Sequence, residues 1–164
     1  MRALTPGERR LLDSARTAVL ATIDPDGRPR LVPICYVALD GAAGVGGTVL
    51  YSPLDAKPKR VADPHLLARV RDVVARPEVS LLVDRWDEDW TRLGWVRLRG
   101  LATLIEPDDG AGQAERGMAI AALRAKYPQY VDHDLETRPL IRMTLTDAVS
   151  WGTLQVAGDA PDSS

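Results

Sequence analysis

The pattern of hydrophobic and polar positions predicts a chain dominated by β-strands that follow one another as hairpins. Apolar or alternating runs predict six strands, at 17–23, 28–39, 48–52, 78–83, 93–106 and 138–146. The turn "DPDG" separates the first two runs, and the Gly-rich stretch 40–47 predicts a second hairpin loop. Because repeated βαβ units are lacking, the pattern favours an antiparallel barrel with helices at its periphery.

Three further segments carry the spacing of amphipathic helices. The first, 5–16, begins with Thr5 as a cap and has Glu8 three residues later, the spacing of a capping box. A second helix is predicted over 63–76, with Asp63 as its cap, and a third over about 113–126. These elements predict one domain over 1–156 and a frayed tail at 157–164.

Individual residues refine the predicted strands. The run 17–23 has little alternation, which is typical of a strand covered on both faces. Pro33 predicts a sheet edge or a bulge within the second strand, because proline cannot donate to a ladder. Gly100 predicts a bulge that shifts the inside–outside phase of the long strand 93–106.

Composition narrows the classes of function. The chain has 164 residues and a formal net charge of −2, which argues against general binding to nucleic acids or anionic membranes. Its single cysteine, Cys35, excludes an intrachain disulfide and is consistent with a reducing compartment. No signal peptide is recognisable, and no apolar run approaches ~18 residues, so we expect a cytoplasmic protein.

Several catalytic classes find little support. The two histidines, His65 and His133, lack the spacing of a metal site, so no metal is expected. Cys35 has no nearby histidine, and neither a G-x-S-x-G elbow nor a strand-following G-x-G-x-x-G is present. The strand positions Arg97 and Arg99 share a face with Trp95; this face is either solvated or lines a groove for an anion.

The segment 57–60 contains the most distinctive cluster of charges. Only three of the 21 basic residues are lysines, and two of them, Lys57 and Lys59, stand here with Arg60 directly after a predicted strand. Closely spaced cations repel one another unless an anion joins them, and phosphate suits both lysine and arginine. The alternatives are a solvated basic loop and a phosphate site at the edge of the barrel, and the second is the working hypothesis.

As a set, these pieces resemble the pyridoxamine-phosphate-oxidase-like split β-barrel superfamily, and most of all its actinobacterial branch that uses the deazaflavin coenzyme F-420. The matching stretches are "AVLATIDPDGRPRLVPICYV", "VLYSPLDAKPKR", "ARPEVSLLVD" and "DEDWTRLGWVRLRGLATLI", in the family's order over about residues 15–106. The resemblance implies a six-stranded antiparallel split β-barrel of the FMN-binding type.

The resemblance also implies a homodimer with cofactor grooves at the subunit interface. By that analogy Lys57, Lys59 and Arg60 hold the cofactor phosphate, and the loop of Trp86 approaches the partner's groove. The residues that would flank the ring and its linker are Pro33, Ile34, Cys35, Tyr51, Ser52 and Pro53. The chain lacks the Arg-x-x-Leu-Leu-Lys strand that is usual in FMN oxidases, which favours F-420 and leaves FMN as the alternative.

The implied activity is hydride transfer between F-420 and a small organic acceptor, because a deazaflavin carries the hydride chemistry itself. The sequence leaves the proton donor open among bound water, Tyr51 and Tyr36. Three alternatives stay open beside this reading: an FMN enzyme on the same barrel, a non-catalytic carrier of F-420 or a tetrapyrrole, and an anion-binding module without a cofactor. The acceptor is not predicted.

Overall fold

The computed structural model describes residues 3–41, 47–54 and 63–154. Its helices are α1 (Pro6–Ser14), α2 (Ala68–Ala75) and α3 (Gln113–Lys126). The strands are β1 (Ala18–Ile23), β2 (Pro29–Ile34), β3 (Val37–Asp40), β4 (Thr48–Pro53), β5 (Glu78–Arg85), β6 (Gly94–Ile105) and β7 (Leu140–Gly152). The predicted tail 157–164 and the basic segment 57–60 lie outside the described residues. No described helix is long and apolar enough to cross a membrane.

All seven strands belong to one antiparallel sheet in the order β2-β1-β5-β6-β7-β4-β3. The sheet is rolled, because Leu20 of β1 and Leu81 of β5 line the same small cavity as Leu50 of β4 and Met143 of β7. Pro33 lies in β2, at one end of this order, as its missing N–H predicted. The antiparallel, mainly β architecture is therefore the one that the sequence predicts.

The predicted count of six strands is wrong by one, because the run 28–39 forms two strands. β2 pairs with β1, whereas β3 pairs with β4 at the opposite end of the strand order. Between them, the hydroxyl of Tyr127 accepts from the N–H of Tyr36 at 3.0 Å and donates to its carbonyl at 2.8 Å. This side chain takes the place of a strand partner, so the backbone can leave one ladder and enter another.

The bulge predicted at Gly100 is present, but its extra residue lies on β7. Arg99 pairs with Asp147 and Gly100 with Leu145, so Thr146 is the unpaired residue. A Cβ on Gly100 would lie 2.5 Å from the carbonyl oxygen of Thr144, which explains the glycine. Consequently β6 keeps its alternation and the phase shift that we predicted for it occurs in β7 instead.

Two further details of the prediction need correction. β1 alternates between buried and half-buried positions, so it is not covered equally on both faces. The second predicted helix is a 3-10 turn at Pro64–Leu66 followed by the short α2, and the apolar side chain of Val74 in α2 is exposed. By contrast, α1 has the predicted capping box: Thr5 Oγ1 accepts from Glu8 N at 3.2 Å, and Glu8 Oε2 accepts from Thr5 N at 2.8 Å.

The apolar residues form two cores on opposite sides of the sheet. The inner core fills the rolled sheet and includes Leu11 and Leu12 of α1 and Val70 and Val73 of α2. The outer core lies between α3 and the outward face of β3, β4 and the start of β7, and it contains Tyr51, Tyr127 and Tyr130 among its buried residues. Helix α3 therefore covers only part of the outer surface of the sheet.

Candidate cofactor site

The residues predicted to surround a cofactor divide into three groups in the structure. Ile34, Tyr51, Ser52 and Pro53 are buried, and Cys35 between β2 and β3 is half-buried. Pro33 and Trp86 are exposed. The phosphate-binding candidates Lys57, Lys59 and Arg60 lie outside the described residues. The assignment of all ten residues to a site stays a prediction.

Three of the four buried members of this set meet around the cavity inside the rolled sheet. Ile34, Tyr51 and Ser52 all contribute to its apolar lining. The cavity measures about 10 Å³, which is room for one water molecule at most. This cavity therefore has no room for a ring system, whereas Pro33 is exposed and Cys35 is half-buried.

The two tyrosines considered as proton donors both have their hydroxyl groups engaged. Tyr36 donates to the carbonyl of Leu12 at 2.7 Å, and Tyr51 donates to Glu115 Oε1 at 2.5 Å. Burial raises the pKa of both phenols, and the Glu115 carboxylate adds to the increase in the pKa of Tyr51. Neither hydroxyl is available to a bound substrate in this arrangement, so among the three candidates the geometry favours water.

The partner of Tyr51 belongs to a charged network that the sequence did not reveal. Glu115 Oε1 also accepts from Arg142 Nε at 2.7 Å, and Arg142 Nη1 donates to Thr144 Oγ1 at 3.0 Å. Tyr51 and Glu115 are 64 positions apart and meet because α3 packs across β4 and β7. No local pattern signals such a contact, since each residue also fits an ordinary amphipathic position.

A second, uncovered part of the sheet's outer surface carries the other candidate residues. We call the open face the outward positions of β2, β1, β5, β6 and the second half of β7. One cross-strand row on it runs through Pro33, Val19, Leu82, Arg97 and Val149. Except for the half-buried Val19, every member of this row is exposed. Pro33 and Arg97 therefore share one surface.

The charges of the open face are arranged along β6 and its neighbours. Arg99 pairs in register with Asp147, and Trp95 lies between Asp84 and Trp151. Within residues 3–41, 47–54 and 63–154, the side chains of Arg97 and Arg99 make neither a hydrogen bond nor an ion pair. The sequence left two readings open for these arginines, a solvated face or the lining of a groove for an anion. In the described structure they form an exposed cationic stripe that is flanked by apolar and aromatic side chains.

All four tryptophans lie near the end of β5 and the start of β6. Trp86 follows β5 and is 69% exposed, and Trp90 in the adjoining 3-10 turn is 74% exposed. Two hydrogen bonds hold the loop between β5 and β6. Asp89 Oδ1 accepts from the N–H of Thr91 at 3.0 Å, and Oγ1 of Thr153, which follows β7, donates to the carbonyl of Thr91 at 2.7 Å. Those contacts present two indole rings to the surroundings of the subunit.

The ends of the undescribed segment 55–62 are well defined. Before it, Leu54 is fully buried in the inner core. After it, Asp63 Oδ1 accepts from the backbone N–H of His65 at 2.9 Å and lies 3.0 Å from its ring Nδ1, and the other ring nitrogen, Nε2, lies 3.0 Å from Glu106 Oε1. The hydrogen bonds to Glu106 and Asp63 raise the pKa of His65. The side chain of His65 is exposed, and among the described residues no cluster of histidine, cysteine or acidic side chains is arranged to hold a metal.

Comparison with known structures identifies the fold. A conserved hypothetical protein of Mycobacterium tuberculosis matches with a TM-score of 0.64 and 21% identity over 92% of this chain and 86% of its own. A structure described as an F420 reductase matches with a TM-score of 0.61 and 20% identity over 89% and 98%. The heme storage protein HutZ of Vibrio cholerae matches with a TM-score of 0.63 and 16% identity over 93% and 96%. At these identities the matches establish the split β-barrel fold alone.

The family follows from a comparison of sequences. The pyridoxamine 5'-phosphate oxidase family matches residues 4–152, which is nearly all of the chain. No curated protein sequence matches significantly. The chain belongs to the pyridoxamine 5'-phosphate oxidase family, a family of split barrels that includes oxidoreductases and binders of flavin-type cofactors, as the resemblance predicted.

Proposed function

We propose that the protein is an oxidoreductase that transfers a hydride between coenzyme F-420 and a small organic acceptor. The observation that carries this proposal is the basic segment 57–60, which follows β4 on a barrel whose fold also occurs in a structure described as an F420 reductase. The segment supplies three cations within four residues, in a chain whose lysines are otherwise nearly absent. Phosphate is the anion that best matches this density of charge.

The proposed roles of the residues follow from their positions. Lys57, Lys59 and Arg60 would bind the phosphate, and the backbone around Pro33–Cys35 and Tyr51–Pro53 would flank the ring and its linker. When bound, the deazaflavin supplies the hydride from its C5 carbon. Pro33 and its cross-strand neighbour Val19 would present an apolar surface to one side of such a ring. Since Tyr36 and Tyr51 are engaged elsewhere, a water molecule would deliver the proton.

We propose further that two copies associate through the open face, which would place Trp86 of each copy near the partner. Two features support a second copy as the occupant. The face exposes the large apolar side chains of Leu82, Val149 and Trp151, and such a group of exposed apolar residues is typical of an interaction surface. It also carries both Arg97 and the acidic Asp147, so that two copies related by a two-fold axis can be complementary in charge.

Two alternative ligands have specific support. FMN is favoured by the family itself, although the chain lacks the usual phosphate-binding strand of the FMN oxidases. Haem is favoured by the likeness to HutZ. His65 is a weak axial ligand, because both of its ring nitrogens lie at hydrogen-bond distance from carboxylates. We expect the protein to act in the cytoplasm, where its one thiol stays reduced.

A direct titration tests the proposal. Purified protein is titrated with F-420, FMN and haem, and binding is followed by quenching of the fluorescence of the four tryptophans and by ligand absorbance. The proposal predicts that F-420 binds most tightly, and that reduced F-420 is consumed with at least one quinone, enone or linear tetrapyrrole. Tight binding of haem or FMN with weak F-420 binding would contradict it. F-420 binding without turnover would identify a carrier.

A further inference from the structure

A groove runs along the outer side of α3, between this helix and the connection that leads to β7. It encloses about 450 Å³, which lies within the range of small-molecule sites. Gly117, Ile120 and Ala121 of α3 provide its apolar surface, and Glu136 belongs to the connection. None of the residues that line the groove belongs to the predicted cofactor site or to the open face, so the proposed function leaves it unused.

Arg116 lines this groove and is a buried cation, only 3% exposed. Its Nη2 donates to the carbonyls of Leu135, Glu136 and Arg138 at 2.6–2.8 Å. Its Nη1 lies 3.4 Å from the carbonyl of Ile105. All four acceptors are neutral. Among the residues that the structure describes, no carboxylate lies within ion-pair distance of this guanidinium, and its Nε–H has no acceptor.

The charge of Arg116 is therefore compensated only at a distance. Burial lowers the pKa of its guanidinium, and the carboxylates of Glu136, Glu106 and Asp134 oppose this decrease without touching it. An arginine in a protein stays protonated all the same. Because a buried charge is costly unless an opposite charge joins it, the unused Nε–H at the groove is a suitable contact for an anion.

The other two charges of the groove neutralise each other. Arg124 Nη1 and Nη2 donate to the two carboxylate oxygens of Glu136 at 2.6 and 3.0 Å. This pair leaves one positive charge, that of Arg116, beside the apolar surface of α3. A ligand with one negative charge and an apolar body matches this arrangement. A phosphate with two charges would place the second one near Glu136 without a partner.

We propose that this groove is a binding site for small monocarboxylates with an apolar body, such as aromatic acids. The carboxylate accepts from the Nε–H of Arg116, and the apolar body lies over Gly117 and Ala121. A Cβ on Gly117 would meet nothing within 4 Å, so the helix surface is open at this point. Since Arg116 already joins α3 to the connection before β7, a bound carboxylate stabilises the folded chain.

The Nε–H of Arg116 serves as the reporter of binding. Isotope-labelled protein is titrated with sodium benzoate at constant ionic strength, and the arginine Nε–H signals are followed by heteronuclear NMR. The signal of Arg116 is assigned through its correlations to the backbone. The proposal predicts that this signal shifts and that the shift saturates. Benzamide has a similar shape but no charge, so it should bind at least about tenfold more weakly.

Two matched variants separate the groove from the rest of α3, and both place leucine, a good helix former, at an exposed helical position. Ala121→Leu fills part of the groove, so the affinity for benzoate should fall at least about tenfold. Ala125→Leu makes the same change one turn later, where the helix does not line the groove, and the affinity should stay within about twofold.

Thermal unfolding provides a second readout. Benzoate should raise the midpoint of the unmodified protein and of Ala125→Leu, and it should have a smaller effect on Ala121→Leu. The proposal is overturned if the Arg116 signal does not shift or shifts without saturation. It is also overturned if benzamide binds as tightly as benzoate, or if the two leucine variants bind benzoate equally well.

Discussion

The part of the sheet's outer surface beneath α3 and the open face differ in whether their charged side chains have partners within the chain. Beneath α3, Glu115 accepts from both Tyr51 and Arg142, and the buried Arg116 donates to the carbonyls of Leu135, Glu136 and Arg138. On the open face, the guanidinium groups of Arg97 and Arg99 have no hydrogen-bond or ion-pair partner among the described residues. The charged groups of the first surface have partners within the chain, whereas the second exposes apolar and cationic side chains and is the surface that we propose to be an interface. This difference separates the structural part of the molecule from its proposed functional part.

The largest expected effect comes from the covered surface. Arg116→Met leaves the buried carbonyl of Leu135 and the partly buried carbonyls of Glu136 and Arg138 without this donor, so we expect the free energy of unfolding to fall by about 3 kcal/mol. Arg97→Met is the matched change on the open face and should alter it by less than about 0.5 kcal/mol. Urea unfolding of both variants at one protein concentration provides the measurement. Equal losses would show that the two arginines do not differ as described.

The second prediction tests whether the open face binds another copy. Val149→Asp places a carboxylate within the proposed interface and should raise the dissociation constant of the dimer by about 30-fold, equivalent to about 2 kcal/mol. Val74→Asp makes the same change on the exposed side of α2 and should have no effect. Sedimentation velocity over a range of concentrations distinguishes the two. A dimer that tolerates Val149→Asp uses another surface.

A smaller effect is expected from the hydroxyl of Tyr51. Tyr51→Phe removes the 2.5 Å hydrogen bond to Glu115 but keeps the packing against α3, so we expect a loss of about 1–2 kcal/mol in the free energy of unfolding. Glu115 keeps its contact with Arg142 in this variant, which limits the cost. Thermal unfolding by circular dichroism measures it. An unchanged midpoint would mean that the network adds nothing to stability.

The smallest effect is a dependence of stability on pH that arises from Lys126. Its folded pKa is about 8, below the value of about 10.4 in an unfolded chain, so the unfolded state binds the proton more tightly between these values. The contribution of this group to stability should therefore rise from pH 8 to pH 10, by less than about 1 kcal/mol because the side chain is partly exposed. The difference in unfolding free energy between the protein and Lys126→Gln isolates it. A flat difference would contradict the lowered pKa.

The features that the sequence predicted correctly are those that residues close together in the chain determine. The capping box of Thr5 and Glu8 and the helix over 113–126 arise from contacts within a few residues, and both are present. The break between β2 and β3 depends on Tyr127, 91 positions from Tyr36, and no local signal announces it. β1 was expected to be covered on both faces, because a hydrophobic strand on an open surface has the same composition as a buried one.

The residues of the candidate site were assigned from the family resemblance, and their role stays a prediction. What the structure adds is that Pro33 and Arg97 share one surface through cross-strand register. That register is a property of five paired strands and cannot be read from any one of them. The engaged hydroxyls of Tyr36 and Tyr51 likewise depend on α1 and α3.

The most direct test of the proposed function is F-420 binding to a chain that lacks both lysines of the basic segment. Lys57→Ala combined with Lys59→Ala should weaken binding by roughly 2–4 kcal/mol, at about 1–2 kcal/mol for each charge-assisted contact. Arg28→Ala combined with Arg76→Ala removes the same charge from exposed positions elsewhere and should leave the affinity within about twofold, since exposed charges at a distance are screened. Unchanged affinity in the double lysine variant, or an equal loss in the arginine control, would contradict a phosphate site at residues 57–60.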